Sequence, residues 1–243
     1  MTSQSAETEQ AFESPLGVST QRASDQGQES YDDRLNRILV AATDVIARVG
    51  YERATMRLVA RAAGVSLAGM YNYFDSKERM LFLIEYRTFN ALVTKLRENL
   101  LGVEDAVEQL RTMIRTHVNY FAANMAALKV CSHELDSLSG ASYEETRRLR
   151  HDYYGIARSI VERLLEGQAG VEGIDRHIAT MSLFGMLNWL YRWYNPQRGR
   201  APNAVANQLT GQFLRGLIGS GNGGAANGSA ATSVQTPPET AEP

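Results

Sequence analysis

The residues whose types and spacing best fit a chemical role lie between Thr55 and Lys77. Thr55 and Ser66 each precede a short segment of helical spacing, and a hydroxyl at that position accepts hydrogen bonds from the free N–H groups of the first helical turn. Gly64 lies between the two segments, where it suits a turn with left-handed backbone. The stretch therefore predicts two short helices joined by a glycine-containing turn, which is the arrangement of a helix-turn-helix unit.

The second helix of this pair is expected to carry the contact surface. Met70 and Phe74 lie four residues apart and are predicted to point inward, against the first helix. The residues left on the outer side are mostly small or polar: Leu67, Ala68, Gly69, Tyr71 and Asn72. Because the second helix of such a unit enters the major groove, this surface predicts contact with double-stranded DNA.

The distribution of charge favours a DNA contact without proving it. The whole chain has a net charge of −2, so its bulk charge does not attract nucleic acid. Residues 31–80 carry eight basic and six acidic side chains, whereas residues 1–30 carry one basic and five acidic side chains. Arg57 and Lys77 lie near predicted helix N-termini, where phosphate groups are attracted. From periodicity alone, an ordinary helical hairpin with a solvated charged face fits equally well.

Outside this stretch the chain is predicted to be helical between two disordered tails. Apolar residues recur with a period of about 3.6 residues in segments that begin at Leu35, Val107, Leu149 and Val205, which predicts an all-α fold of about nine helices. Asp32 or Asp33 is the expected N-cap of the first helix, and Gly50 its expected end. We predict an acidic disordered tail (1–30), a helix-turn-helix domain (31–78), a second helical domain (79–219) and a disordered tail rich in small residues (220–243).

One part of the chain resembles the N-terminal domain of TetR-type repressors, over roughly residues 31–82. The matching residues are Gly50-Tyr51, Ala54-Thr55, Val59-Ala60, Ala63-Gly64-Val65-Ser66, the run from Met70 to Glu78, and Leu81. The chain departs from the family at Ala68, where glycine is frequent, and at Leu67, where a basic or polar residue is common. The resemblance implies a three-helix DNA-binding domain followed by a helical domain for ligand binding and dimerisation.

The resemblance also implies a role for each residue of the motif. Thr55, Tyr71, Asn72 and Lys77 match positions that hold DNA phosphates. Arg57 matches a position from which a side chain reaches a guanine edge. Leu67, Ala68 and Gly69 offer no side-chain hydrogen bonds, so they are expected to read DNA shape and thymine methyl groups.

In such regulators the C-terminal helices form a homodimer that binds a palindromic operator. The last two predicted helices, about 174–195 and 203–218, are the expected dimer interface, with Phe213 and Leu217 as contact residues. The alternative is that the last helix is buried within its own chain.

The segment from Leu183 to Pro196 contains both tryptophans and resembles the branch of the family that senses acyl-CoA thioesters from fatty-acid, aromatic or steroid catabolism. The resemblance implies an apolar tunnel for the acyl chain, with Arg192 pairing a phosphate and Trp189 or Trp193 stacking on adenine. The predicted ligand-binding residues are Phe121, Met125, Tyr153, Phe184, Asn188, Trp189, Arg192 and Trp193. An ordinary aromatic core is one alternative, and a multidrug or antibiotic sensor that controls an efflux gene is the other.

An enzyme is the alternative of a different class, and little in the sequence favours it. There is no phosphate-binding glycine loop within the helical region, no Ser-His-Asp arrangement and no cluster of metal ligands. The single Cys131 excludes an internal disulfide and a multi-cysteine zinc site. We therefore expect no catalytic residues, no metal and no cofactor, only a small-molecule effector.

An architectural DNA protein would not need a C-terminal helical domain of this size.

The most apolar segment, from Ile178 to Tyr194, includes Asn188 and Arg192 and is too short and too polar for a confident membrane span. We therefore expect a cytoplasmic protein with no membrane partner.

Overall fold

A computed structural model describes residues 30–166, 168 and 170–219, and within these ranges every regular element is helical. The α-helices are α1 (Tyr31–Val49), α2 (Met56–Ala63), α3 (Leu67–Met70), α4 (Lys77–Leu100), α5 (Ala106–Ala123), α6 (Met125–His133), α7 (Gly140–Leu165), α8 (Arg176–Asn188), α9 (Leu190–Trp193) and α10 (Pro202–Ile218), with a 3₁₀ turn at Leu135–Ser137. The all-α prediction is confirmed. None of these helices is long and apolar enough to cross a membrane. The predicted tails lie outside the described residues, apart from Ser30.

The helix-turn-helix unit forms from the local signals that predicted it. The hydroxyl oxygens of Thr55 and Ser66 accept hydrogen bonds from the N–H groups of Leu58 and Gly69, at 3.2 and 3.0 Å. Gly64 adopts a left-handed conformation with φ of 67° at the end of α2. These contacts fix the start of both helices and the turn between them.

The first helix begins differently from the prediction. Its N-cap is Ser30, whose hydroxyl oxygen accepts a hydrogen bond from the Asp33 N–H at 3.1 Å. Asp33 therefore lies in the first helical turn, where its negative charge is favourable, and neither Asp32 nor Asp33 is the cap. The predicted end at Gly50 is confirmed.

Two apolar cores share α4. The first contains buried residues of α1 to α3, the start of α4 as far as Ile84, and Val130 and Leu138. The second begins at Phe89 and continues through α5, α7, α8 and α10. Because α4 starts in one core and ends in the other, it is the rigid connection between the helix-turn-helix unit and the remaining helices.

Two predicted helices are interrupted, and both breaks matter for the site. Asn124 has φ of −136° and ψ of 45°, so α5 ends before Met125 and α6 starts a new axis there. Trp189 separates α8 from the short α9 in a turn, although its φ of −82° and ψ of −5° stay in the right-handed helical region. The predicted helix over 174–195 is therefore two segments.

The last helix packs inside its own chain. Phe213 and Leu217 are buried in the second core, and α10 packs mainly against α5. The prediction that these two residues form the dimer interface is wrong, and the intrachain alternative is correct. An apolar stripe on a helix does not by itself say whether another part of the chain or a second copy covers it.

Candidate nucleic-acid interface and ligand cavity

The predicted DNA-contacting residues are accessible on α2, α3 and the turn after α3. Thr55, Arg57, Ala68, Tyr71 and Asn72 are exposed. Leu67 and Gly69 are partly exposed. Tyr71 belongs to neither apolar core. Its side chain is 53% exposed, which is a large value for an aromatic residue. The small and polar surface expected from the sequence is therefore present and open.

Lys77 lies closer to the protein than the sequence suggested. Its ammonium group donates hydrogen bonds to the backbone carbonyls of Tyr51 and Glu52, at 3.1 and 3.3 Å. The same group lies 4.0 Å from the centre of the Tyr51 ring, a cation–π contact. Lys77 thus ties the start of α4 to the connection between α1 and α2, and its contact with a DNA phosphate stays a prediction.

A cavity of about 370 Å³ lies between α4, α5, α6, α7 and α8. Of the predicted ligand-binding residues, Phe121, Tyr153, Phe184 and Asn188 line it. Its further apolar lining is Phe89, Leu92, Leu128 and Met181, and its further polar lining includes His117, Ser132, Arg147, Arg150, His151, Tyr154 and His177. Apolar walls with a few convergent polar groups are typical of small-molecule sites.

The other predicted ligand-binding residues lie elsewhere. Met125, Arg192 and Trp193 line a separate surface depression with residues 194–197. Trp189 and Trp193 are each 55% exposed, and the Arg192 guanidinium lies 5.6 Å from the centre of the Trp189 ring. Met125, Arg192 and Trp193 lie beyond the ends of α5 and α8, where the helical spacing that includes Phe121 and Phe184 no longer applies.

A buried polar pair lies in the cavity wall. His117 Nδ1 is 2.9 Å from the Tyr153 hydroxyl, and Nε2 makes no hydrogen bond with any described residue. Burial lowers the pKa of His117 to about 3, against a smaller opposite effect of the Leu187 carbonyl. Burial raises the pKa of Tyr153. Both groups are therefore neutral at physiological pH and hold hydrogen-bonding capacity inside an apolar wall.

The sequence interpretation missed a second buried group, Glu85. Its side chain is fully buried on α4, and its Oε2 lies 3.5 Å from Arg150 Nη1 of α7. Burial raises the pKa of Glu85 to about 8, Arg150 lowers it, and Glu134 raises it. The sequence contained one signal of this burial. Glu85 directly follows the apolar run from Met80 to Ile84, on a helix that contributes buried residues to both cores.

Comparison with known proteins identifies the family. Residues 38–84 match the model for bacterial regulatory proteins of the tetR family, and residues 103–217 match the tetracyclin repressor-like C-terminal domain. The structure of the TetR family regulator PfmR of Thermus thermophilus superimposes on this chain with a TM-score of 0.66 and 31% sequence identity. The match covers 74% of this chain and 98% of PfmR. The chain belongs to the TetR family. The α2–α3 pair is therefore the helix-turn-helix DNA-binding unit of a TetR regulator.

Two further regulators are among the curated relatives of this chain. The repressor KstR2 of Rhodococcus jostii is 25% identical over 76% of this chain and 91% of its own. The fatty acid metabolism regulator protein of Bacillus subtilis is 24% identical over 63% of this chain and 78% of its own. The structure of FadR from Bacillus subtilis in complex with stearoyl-CoA shares the fold, with a TM-score of 0.59 and 23% identity over 74% of this chain and 97% of that one.

Proposed function

We propose that this TetR regulator is a homodimeric repressor that leaves a palindromic operator when an acyl-CoA thioester occupies the cavity. The observation that carries the proposal is the cavity itself, which is apolar inside, basic at its exposed side and walled by α4. The curated relative concerned with fatty acid metabolism supports the ligand class. In this proposal the protein acts in the cytoplasm, and the cavity binds its ligand as an effector without converting it.

The lining of the cavity fits the two halves of such a ligand. Leu92, Phe121 and Leu128 are buried and offer an apolar surface to an acyl chain. Arg147, His151 and His177 are exposed at the same cavity, where the Arg147 guanidinium can pair with a phosphate. We therefore place the head group near α7 and the start of α8, away from Arg192. The volume is near the lower end of the range of about 300–1,000 Å³ for ligand sites, which favours a short, medium or compact acyl group.

The exposed face of α8 supports a dimer of two copies of this chain. Ile178, Gly185 and Trp189 follow one another at helical spacing and are all exposed, with both large side chains more than half accessible. A Cβ added at Gly185 would meet nothing within 4 Å in the single chain. A second α8 can therefore approach closely there, and a two-fold axis would pair the same surface of both copies.

Ligand and DNA binding are coupled through α4 in this proposal. A bound ligand contacts Phe89 and Leu92 in the cavity wall, while Lys77 at the other end of α4 holds the α1–α2 connection. A ligand releases DNA only if it prefers the conformation in which the two helix-turn-helix units no longer fit the operator. A 100-fold loss of DNA affinity requires a preference of about 2.7 kcal/mol.

A thermal-shift panel tests the ligand class. Acyl-CoAs with short or medium acyl chains should raise the melting temperature, whereas CoA alone and cationic drugs should not. Phe121→Trp, which narrows the cavity, should weaken the shift given by medium acyl chains. Leu101→Trp is the matched control, since Leu101 is 80% exposed. If only cationic drugs stabilise the protein, the acyl-CoA proposal is wrong and a drug-sensing repressor takes its place.

A further inference from the structure

Arg150 lies where the cavity passes from its exposed side to its buried side. Along α7, Arg147 is exposed, Arg150 is 29% exposed at its side chain, and Tyr153 is buried. All three line the cavity. A ligand with an apolar chain directed inward and a charged head directed outward would place the atoms that join the two halves beside Arg150.

The guanidinium of Arg150 is held in place but keeps hydrogen-bond donors free. Nη1 donates to the Cys131 backbone carbonyl at 2.7 Å, and the group lies 5.2 Å from the centre of the Phe89 ring. A guanidinium carries five N–H donors. Within the part of the chain that the structure describes, the hydrogen bonds and ion pair of Arg150 use Nη1 alone. Donors on Nε and Nη2 therefore remain for a ligand.

Glu85 is the side chain that orients this guanidinium. It is fully buried, its Oε2 accepts a hydrogen bond from Arg150 Nη1 at 3.5 Å, and its other carboxyl oxygen has no hydrogen-bond partner among the described residues. The other groups that face it are Glu134 and the Cys131 thiol, both of α6 or its C-terminal end. Arg150 is the hydrogen-bond donor that contacts Glu85 within the described ranges.

We propose that Arg150 binds the carbonyl oxygen of the ligand's acyl group, with Glu85 as the positioning residue that holds the guanidinium. The inference rests on the proposed function, because it takes an acyl thioester as the ligand. The thioester carbonyl is the acceptor at the junction of the acyl chain and the CoA head, which is the part of the ligand that meets Arg150. The cavity thereby distinguishes an acyl-CoA from an alkyl-CoA of the same length.

The test compares two probes that differ at this carbonyl group. Octanoyl-CoA has it, and S-octyl-CoA, a thioether, has a methylene group in its place. Calorimetry on the full chain should show that the wild type binds octanoyl-CoA at least about tenfold more tightly, the effect expected of one hydrogen bond to a charged group. Arg150→Gln should bind both probes alike. Arg158→Gln should keep the wild-type preference, since Arg158 lies on the same helix but pairs with Glu162 at the exposed surface.

A second variant keeps the test decisive if Arg150→Gln does not fold, because that change alters the hydrogen-bond donor to the buried Glu85. The double variant Glu85→Gln with Arg150→Gln replaces both members of this buried pair with amides and should also lose the preference. If the wild type binds both probes equally, or if the variants keep the wild-type preference, the role of Arg150 is wrong. The proposed function is unaffected by either result. If the wild type binds neither probe nor any other acyl-CoA, the proposed function itself fails.

Discussion

Replacing Glu85 with glutamine should stabilise the protein above neutral pH. The folded pKa of about 8 lies above the ordinary value of 4.5, so between these pH values the folded chain holds a proton that the unfolded chain has lost. The free energy of unfolding therefore falls as pH rises through this range. His117 has the opposite effect, but only between about pH 3 and its ordinary value of 6.5. The interval from pH 6.5 to 8 therefore isolates Glu85.

The size of the effect follows from one proton per chain. Over the interval from pH 6.5 to 8, the loss of stability in the wild type should be roughly 1–2 kcal/mol. Glu85→Gln removes the titration, while its amide oxygen still accepts a hydrogen bond from Arg150. The free energy of unfolding of the variant should therefore be closer to that of the wild type at pH 6.5 and larger than that of the wild type at pH 8.

Chemical denaturation at both pH values, at one ionic strength and one protein concentration, measures this difference. Glu98→Gln is the control, because Glu98 also lies on α4 but is exposed and pairs with Lys95. If Glu85→Gln loses as much stability between the two pH values as the wild type does, Glu85 is not the group that titrates. The reasoning from its burial is then refuted.

Three further predictions concern DNA binding, assembly and the N-terminal segment. Lys77→Ala and Tyr71→Phe should weaken binding to operator and random DNA alike, and Lys77→Ala should lower the slope of log K against log salt by about one per chain. Arg57→Ala should instead cost about 1–3 kcal/mol at one base pair, and equal losses on both DNAs would contradict a guanine contact. Light scattering should give twice the chain mass of 26.9 kDa for the wild type. The Gly185→Arg variant should have the mass of a single chain, and it should still fold because a Cβ added at Gly185 meets nothing within 4 Å in the single chain. Deleting residues 1–25 should leave the melting temperature and the dimer unchanged. A fall of many degrees in the melting temperature would show that this segment contributes to the stability of the fold.

The helix-turn-helix unit was predictable from the sequence because local signals determine it. A hydroxyl cap, a left-handed glycine and apolar side chains four residues apart act within a few residues of one another. The caps at Thr55 and Ser66 and the turn at Gly64 therefore appear where the sequence placed them.

The lining of the cavity was only partly predictable from helical spacing. Phe121 and Phe184 precede the breaks and line the cavity, whereas Met125 and Trp193 follow them and do not. Glu85 and Arg150 are 65 residues apart in sequence. Their contact depends on how α4 packs against α7, which helical periodicity does not reveal.

Operator release is the measurement that tests the central claim most directly. A fluorescent operator bound by the wild-type protein would be titrated with acyl-CoAs of several lengths, the matching free acids, CoA alone and a cationic drug, with anisotropy as the readout. The proposed function predicts that an acyl-CoA releases the DNA, with at least roughly a 100-fold loss of affinity at saturation, and that CoA alone does not. If no acyl-CoA releases the operator while the cationic drug does, the protein is a drug-responsive repressor and the acyl-CoA proposal is contradicted.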